Sequence, residues 1–595
     1  MEGSYHRVTL RRWITDVMVR RGGWVVLATL GLYLWVAPST IMTGDNADFA
    51  AVGAVGGSAH PSGYPLYVMW LRLWSWLPGT PAHAAAVATV MLSAAVIFVL
   101  HAACRAWGAR PLAASIAVAL FATAPIVLRI HTEADVFPLN CLICATVVWL
   151  SAAEGPLRGT RRAAVLALIA GLGLAHNLTC VLVAPIGILG FVRGMREANA
   201  LGRTIALSLG AFVLGLVPYA YLFVAGDTPV SWGSVDSFGE LVHHVMRRDY
   251  GVFKLSNKGD GLAIGKNIVA FGASVGRAYL WIPALVGVVA LGISLVRPHG
   301  HEPRSGWIAL AASFVLAGPV FAAMFNRDPV NLGLYLVQRF HLQAMMVFAV
   351  FVAVGLDRIG TEIEARTGGR YARIAPLLAV ASFVIGAALS LPFVARVHTP
   401  AVERGLRNML GSLPPAAIVI GSTDELHFGA GYLQFATGLR PDVTVISAGQ
   451  LGLSYYRDRL ARRTGIVVVK PRDAAEKVTV TVAEQALATG RPVFIDPFQG
   501  NIAVAFPTYP YGLVFRVLPR GTALPSIDAI FAMNKLLFER YDFGYSFPGP
   551  DDQFATQYHV IYVRTWTAIW SALSPVNHRE ERAFAQSMID ALSPR

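Results

Sequence analysis

The sequence predicts a polytopic α-helical membrane protein that ends in an α/β domain outside the bilayer. Three observations carry this. Of 595 residues, 55 % are hydrophobic and only 14 % charged, with a mean hydropathy of +0.54; a soluble domain carries about 25 % charge. Apolar runs near the length a bilayer core demands, about 18 residues or more, recur up to residue 396. From about Ala401 they give way to short β-branched runs. The chain therefore divides into a membrane domain, 1–396, and an extracytoplasmic domain, 397–595.

Eleven spans are predicted, at 24–42, 82–103, 111–128, 136–153, 163–175, 178–192, 204–225, 278–296, 307–325, 337–356 and 374–395. The fifth and sixth are short and also read as one broken hairpin. Arg7, Arg11, Arg12, Arg20 and Arg21 precede the first span and hold the N-terminus in the cytoplasm. No small-residue cleavage site follows that span, so it reads as a retained anchor. Alternation then puts an arginine in every cytoplasmic loop, from Arg105 and Arg110 to Arg358 and Arg366, and an odd count places 397–595 outside. Two segments, 61–80 and 236–274, read as interfacial helices on the outer face; the first is rich in Trp and Tyr and contains Arg72.

The formal charge of +14 sits largely in those loops, so no nucleic acid is expected as a partner. The uncommon polar residues gather on the outer face: Asp45, Asp48, His60, Arg129, His131, Glu133, Asp135 and His176. Four cysteines fall in or beside apolar spans. Cys141 and Cys144 have CxxC spacing but no second pair, and no metal or redox role is expected of them.

In the outer domain, AAIVIGS, DVTVIS, GIVVVK, RPVFID and GLVFRV read as strands, with helices near 425–438 and 473–489. The pattern predicts a small, mostly parallel sheet. No GxGxxG or P-loop follows a strand, so no nucleotide site is expected.

The segment GDNADFAAVGAVGGSAHPSGYPLY, 44–67, sets two carboxylates and a histidine beside the first span. Ionisable residues at a membrane face are costly and point to function. Asp45 and Asp48 also have N-cap and N3 spacing, so helix capping is an open alternative. His60 sits in a turn-rich stretch, suited to binding sugar or phosphate or simply to satisfying loop carbonyls. Glu133 and Asp135 precede a span, where the helix dipole favours acids regardless of function. Arg339 starts a late span; a lipid-linked phosphate and snorkelling both suit it, and His341 stands two residues on. His243 and Arg247 share a helix face, and Arg248 adjoins. Asn177 begins an NLT sequon at a membrane boundary; no glycan is expected there.

Seven pieces in order then resemble a known family: GDNADF, AHPSGYPLY, EADVFPLN, GLGLAHNLT, WGSVDSFGELVHHVMRRDYGVFKL, LVQRFHLQ and STDELHFGAGYLQFATGLRPDVTVIS. The chain resembles the GT-C superfamily of membrane glycosyltransferases, and more narrowly the transmembrane protein 260 family of protein O-mannosyltransferases with its bacterial relatives. Asp48 and Asp135 stand where that family has glutamate, and Ser62 where it has proline.

The resemblance implies an inverting transferase that moves a sugar, mannose by analogy, from a polyprenyl-phosphate donor to a hydroxyl. The acceptor is Ser or Thr of an exported protein, or alternatively a glycan or lipid. The implied location is a bacterial inner membrane. Asp45 is then the catalytic base, supported by Asp48. His60, Tyr64, Asp135, His176, Arg247, Arg248, Tyr250, Arg339 and His341 serve donor and substrate binding. No cofactor is expected beyond the lipid-linked sugar, and the chemistry requires no metal, because the donor phosphate meets cationic side chains. Two rivals remain. A transporter would place polar residues near the midplane within internal repeats, and no repeat is seen. A receptor or scaffold explains the outer domain but not the first-loop carboxylates.

Overall fold

The computed structural model describes residues 22–248, 263–325, 327–367, 370–468 and 475–594. A helix stands at each of the eleven predicted places. Among the described residues, six helical segments are individually long and apolar enough to cross a bilayer: Pro81–Ala106, Leu178–Glu197, Leu201–Val224, Arg304–Ala323, Gly333–Thr367 and Pro376–Ser412. Ala263–Ala278 and Ile282–Val296 meet at a bend of 112° and make a seventh span if taken together. The other four places fall short for a geometric reason; Gly159–Leu174, the longest of them, has 16 residues, about 24 Å. Gly23–Val36 has 14 residues, Pro111–Thr123 has 13 and Phe137–Ser151 has 15. At 1.5 Å per residue these run about 20–23 Å, below the ~30 Å hydrocarbon core. Pro125 breaks the predicted 111–128 span, starting a separate helix, Pro125–Ile130.

The bundle is multi-pass and sorts its surfaces as lipid demands. Leu342–Thr367 is enclosed over most of its apolar length. Ile282–Val296, Leu201–Gly215 and Arg370–Val397 leave Leu285, Leu209 and Leu389 more than half exposed, which suits hydrocarbon and not water. Between the first two spans the chain forms two short helices, Asn46–Val55 and Pro65–Trp74. The second buries one face and leaves a second apolar face exposed. Tyr67, Val68 and Leu71 are buried while Met69, Leu73 and Trp76 are exposed, and Arg72 donates back to the carbonyls of Gly53 and Ala54.

The C-terminal domain is built on a five-stranded sheet: β1 Ile418–Gly421, β2 Thr444–Ser447, β3 Val493–Ile495, β4 Thr508–Tyr511 and β5 Val514–Val517, in spatial order β2-β1-β3-β5-β4. β1 pairs in parallel with β2 and β3. β5 runs antiparallel to β3 and β4, so the sheet is mixed. Two expectations are corrected, that the sheet is mostly parallel and that GIVVVK forms a strand. The described part of GIVVVK, 465–468, is not a strand; Val467 gives its N–H and C=O to the side chain of Gln485 instead of to a ladder. TYPY, with its proline, is β4, allowed because it is an edge strand.

No linker separates the two parts. The last span leads into the helix Ala401–Ser412, and one apolar core runs from Phe49 and Tyr67 through Leu406 and Tyr432 to Trp566. The Ile41 N–H bonds Glu403 Oε2 at 2.9 Å. The Ala82 N–H bonds the Tyr432 hydroxyl at 3.2 Å. The hydroxyl of Thr43 donates to Asp552 Oδ2 at 3.3 Å. The C-terminal domain is thereby seated on the segment between the first two long helices.

Candidate active site at the domain junction

Asp45 is the N-cap residue of Asn46–Val55, and Asp48 lies in its first turn, so the spacing that suggested a capping box is real. Yet the Asp45 side chain caps nothing. Its Oδ2 accepts from Arg339 Nη1 at 2.8 Å. Asp48 turns to His60: its Oδ2 accepts the His60 backbone N–H at 3.1 Å and lies 2.7 Å from Nδ1. The other ring nitrogen, Nε2, is 3.9 Å from Asp45 Oδ2. The four side chains thus form one line, Asp48–His60–Asp45–Arg339.

The chain returns to Asp48 because Gly56 and Gly57 take φ of 91° and 112°. A Cβ on Gly57 would stand 2.4 Å from Thr228 Oγ1, so only glycine permits that turn. Aromatic rings wall the histidine: Tyr64 at 5.2 Å, Phe49 at 5.3 Å, Trp232 at 6.2 Å and Phe428 at 6.4 Å between centroids.

The neighbouring charges shift these groups in opposite directions. Burial works to raise the Asp45 pKa, but His60 and then Arg339 outweigh it and hold it below the usual carboxylate value. Burial works to lower His60, but the charge of Asp45 and the hydrogen bond from Asp48 prevail and raise it. Asp135 differs. Burial pushes it up to about 7 against the pull of Arg339, and its Oδ1 accepts the Phe137 N–H at 3.1 Å. Arg339 lies 5.9 Å from the Phe137 ring and 5.5 Å from Phe340. The charge of Arg247 also reaches Asp45, His60 and Tyr64.

Other expected residues stand apart. His176 sits behind Tyr64 at 6.2 Å; its Nε2 meets the Val136 carbonyl at 3.0 Å, and burial lowers it to about 4. His341 points away, to Ser274 Oγ at 3.0 Å and the Phe271 ring at 5.3 Å, because two residues along a helix turn a side chain most of the way to the opposite face. Arg248 is exposed. Tyr250 lies outside the described residues. Glu133 belongs to a separate buried cluster with Arg129 at 3.1 Å and His398 at 3.4 Å. Asn177 Oδ1 accepts the Thr179 N–H, starting a 3₁₀ helix.

Sequence reasoning missed Asp424 and Glu425. They open the helix Asp424–Gly431, which packs on Asn46–Val55. Burial, then Asp45, raises Asp424 to about 6. Burial raises Glu425 to about 7. A DE pair directly after a strand and a Ser-Thr was the available signal. The cysteines are all free; Cys180 donates to Asn140 Oδ1. Among the described residues, no group of three His, Cys, Asp or Glu side chains is arranged to hold a metal ion.

Fold and site together define a multi-pass membrane protein with carboxylates, a histidine and an arginine gathered where the helical bundle meets its C-terminal α/β domain. Residues 45–199 match the family model described as the protein O-mannosyl-transferase TMEM260 N-terminal domain. The chain is 25 % identical over 457 residues to protein O-mannosyl-transferase TMEM260 of Mus musculus, covering 74 % of this chain and 64 % of that protein. It is 20 % identical over 370 residues to the tmem260 protein of Dictyostelium discoideum, covering 55 % of this chain and 43 % of that one. The chain therefore spans less than two thirds of the length of these relatives. Among solved structures, ArnT from Cupriavidus metallidurans in the apo state superposes with a TM-score of 0.50 at 13 % identity, covering 85 % of this chain and 99 % of that one. That likeness is one of fold.

Proposed function

We propose that this chain is an inverting glycosyltransferase that moves a sugar from a polyprenyl-phosphate donor to a hydroxyl on the extracytoplasmic or lumenal side of its membrane. The observation that carries the reading is the ion pair of Asp45 with Arg339, backed by His60 and Asp48, where the helical bundle meets the C-terminal domain.

The acceptor hydroxyl gives its proton to Asp45 as its oxygen attacks the anomeric carbon from the face opposite the phosphate. The bond from that carbon to the phosphate oxygen breaks, and the electron pair leaves with the polyprenyl phosphate. Arg339 meets the leaving charge, assisted by Arg247 and by His60, whose pKa is raised. In the resting site Arg339 is held by Asp45, which keeps the carboxylate ionised but weakly basic. A donor phosphate competes for that guanidinium, so donor binding frees the base. Asp135, poised near neutrality, and Tyr64 face the same charges and orient the sugar. An apolar cavity of about 590 Å³ among the helices around Gly173, Cys180 and Gly187 suits the prenyl chain. Its Gly173–Cys180 wall flanks His176, behind Tyr64.

The names of the relatives favour mannose and a protein hydroxyl. The test offers purified protein a labelled polyprenyl-phosphate mannose or a labelled nucleotide mannose. Label transfer or donor hydrolysis with the lipid-linked sugar alone is expected. Turnover of the nucleotide sugar alone would remove the reading.

A further inference from the structure

We infer that Thr43 and Tyr335 are positioning residues for the transfer proposed above, joined into a clasp through which the C-terminal domain sets the placement of Asp45 against Arg339. This rests on that reading of the site and adds two side chains to its machinery.

Asp45 and Arg339 meet at 2.8 Å across 294 residues of chain. A second contact runs beside theirs. Thr43 stands two residues before Asp45. Tyr335 stands one helical turn before Arg339, on the helix Leu332–Gln338, and at that spacing the two side chains share a face. Thr43 Oγ1 and the Tyr335 hydroxyl lie 2.5 Å apart. The same two segments are therefore tied twice, once by hydroxyls and once by the ion pair.

The C-terminal domain closes on both partners of the hydroxyl pair. Thr43 donates its one hydroxyl hydrogen to Asp552 Oδ2 at 3.3 Å, so the Tyr335 hydroxyl is the donor to Thr43. The hydrogen bonds run in one direction, from Tyr335 through Thr43 to Asp552. Two residues past Asp552, Phe554 sets its ring 5.2 Å from that of Tyr335. The face of the Tyr335 ring carries the guanidinium of Arg129 at 3.8 Å, and Arg129 is itself buried and paired with Glu133 at 3.1 Å. Bundle and domain together lock the ring and aim its hydroxyl.

The residues leading to Asp45 are pinned in turn. Glu403 Oε2 accepts the Ile41 N–H at 2.9 Å, and Asn46 Oδ1 accepts the Met42 N–H at 2.8 Å. Asp45 then follows Thr43 after a single glycine, Gly44, at a φ of 72°. Placement matters because the carboxylate must face the acceptor oxygen while the guanidinium faces the phosphate; a misplacement of about 1 Å can cost about 10²-fold in rate. A contact that only braced the loop would need no partner on the helix that leads into Arg339.

The test uses the full-length protein and follows hydrolysis of a labelled polyprenyl-phosphate mannose, with water as the acceptor. Tyr335→Phe keeps the ring beside Arg129 and Phe554 and removes the hydroxyl alone. Thr43→Val removes the other hydroxyl at nearly equal volume. Each is expected to lower kcat by about 10-fold, between the loss of one hydrogen bond and a gross misplacement, with the melting temperature close to wild type. The two together should cost no more than either alone, since they break one contact. Thr43→Ser should keep most of the wild-type rate. In an Asp45→Asn background, Tyr335→Phe should change the residual rate by less than about twofold, because the base it places is already gone. A rate unchanged by Tyr335→Phe, a fall of equal size in both backgrounds, or a Thr43→Ser variant as slow as Thr43→Val would overturn the inference. A wild type that hydrolyses no donor would instead strike the proposed function.

Discussion

Replacing Asp48 with asparagine removes one buried charge and almost no volume. Asp48 is 3 % exposed, and its Oδ2 serves both the His60 backbone and the His60 ring. The amide oxygen of asparagine can still accept the backbone N–H, so the loop keeps its course. The charge-assisted bond to the ring is lost. Such a bond contributes about 1.5–3 kcal/mol, or about 10- to 150-fold if it acts in the transition state. His60 also loses one of the two neighbours that raise its pKa. The expected result is a kcat for sugar transfer reduced by about 10- to 150-fold, with donor KM changed far less and the melting temperature close to wild type. The assay is transfer from labelled polyprenyl-phosphate sugar, with thermal unfolding followed in detergent. A kcat within twofold of wild type would show that the Asp48–His60 contact only braces the loop.

Two further outcomes follow from the same geometry. His60 has a pKa raised above its usual 6.5, so its stabilising contribution is complete below about 6.5 and fades as pH climbs through the raised value. Asp45 is lowered from 3.8, so its share holds above about 3.8 and is lost as pH falls through the lowered value. The stability gap between wild type and His60→Gln should therefore be wide near pH 6 and narrow toward alkaline pH; a gap that widens there contradicts the ion-pair assignment. Asp552 caps the helix Gln553–Ala572 through the Ala555 N–H and also holds Thr43 in the first loop. Asp552→Ala should cost about 1–3 kcal/mol, read as a lower melting temperature, and an unchanged melting point would show that the contact is idle.

Much of this was legible in the sequence because membrane physics leaves a strong trace. Apolar runs marked each of the eleven helical places named for the membrane domain, although their lengths misled. The buried short helices are as hydrophobic as true spans, since protein can surround them as well as lipid. Asp45, Asp48, His60 and Arg339 were found because ionisable groups at a membrane face are rare. Their pairing was not, because nearly three hundred residues separate Asp45 from Arg339. His341 was grouped with Arg339 by proximity in sequence, and helical geometry sent it elsewhere. Asp424 and Glu425 were passed over because an acid in a soluble-looking domain is ordinary until the fold seats it on the first loop. GIVVVK read as a strand on β-branched content alone, a propensity that tertiary context overrides.

The most direct measurement is sugar transfer by Asp45→Asn from a labelled polyprenyl-phosphate donor, with donor binding and thermal stability followed on the same preparation. The account predicts that binding and folding persist while transfer falls by at least 10²-fold, the usual scale for losing a general base. Transfer within a few-fold of wild type would contradict it and return Asp45 to a purely structural partnership with Arg339.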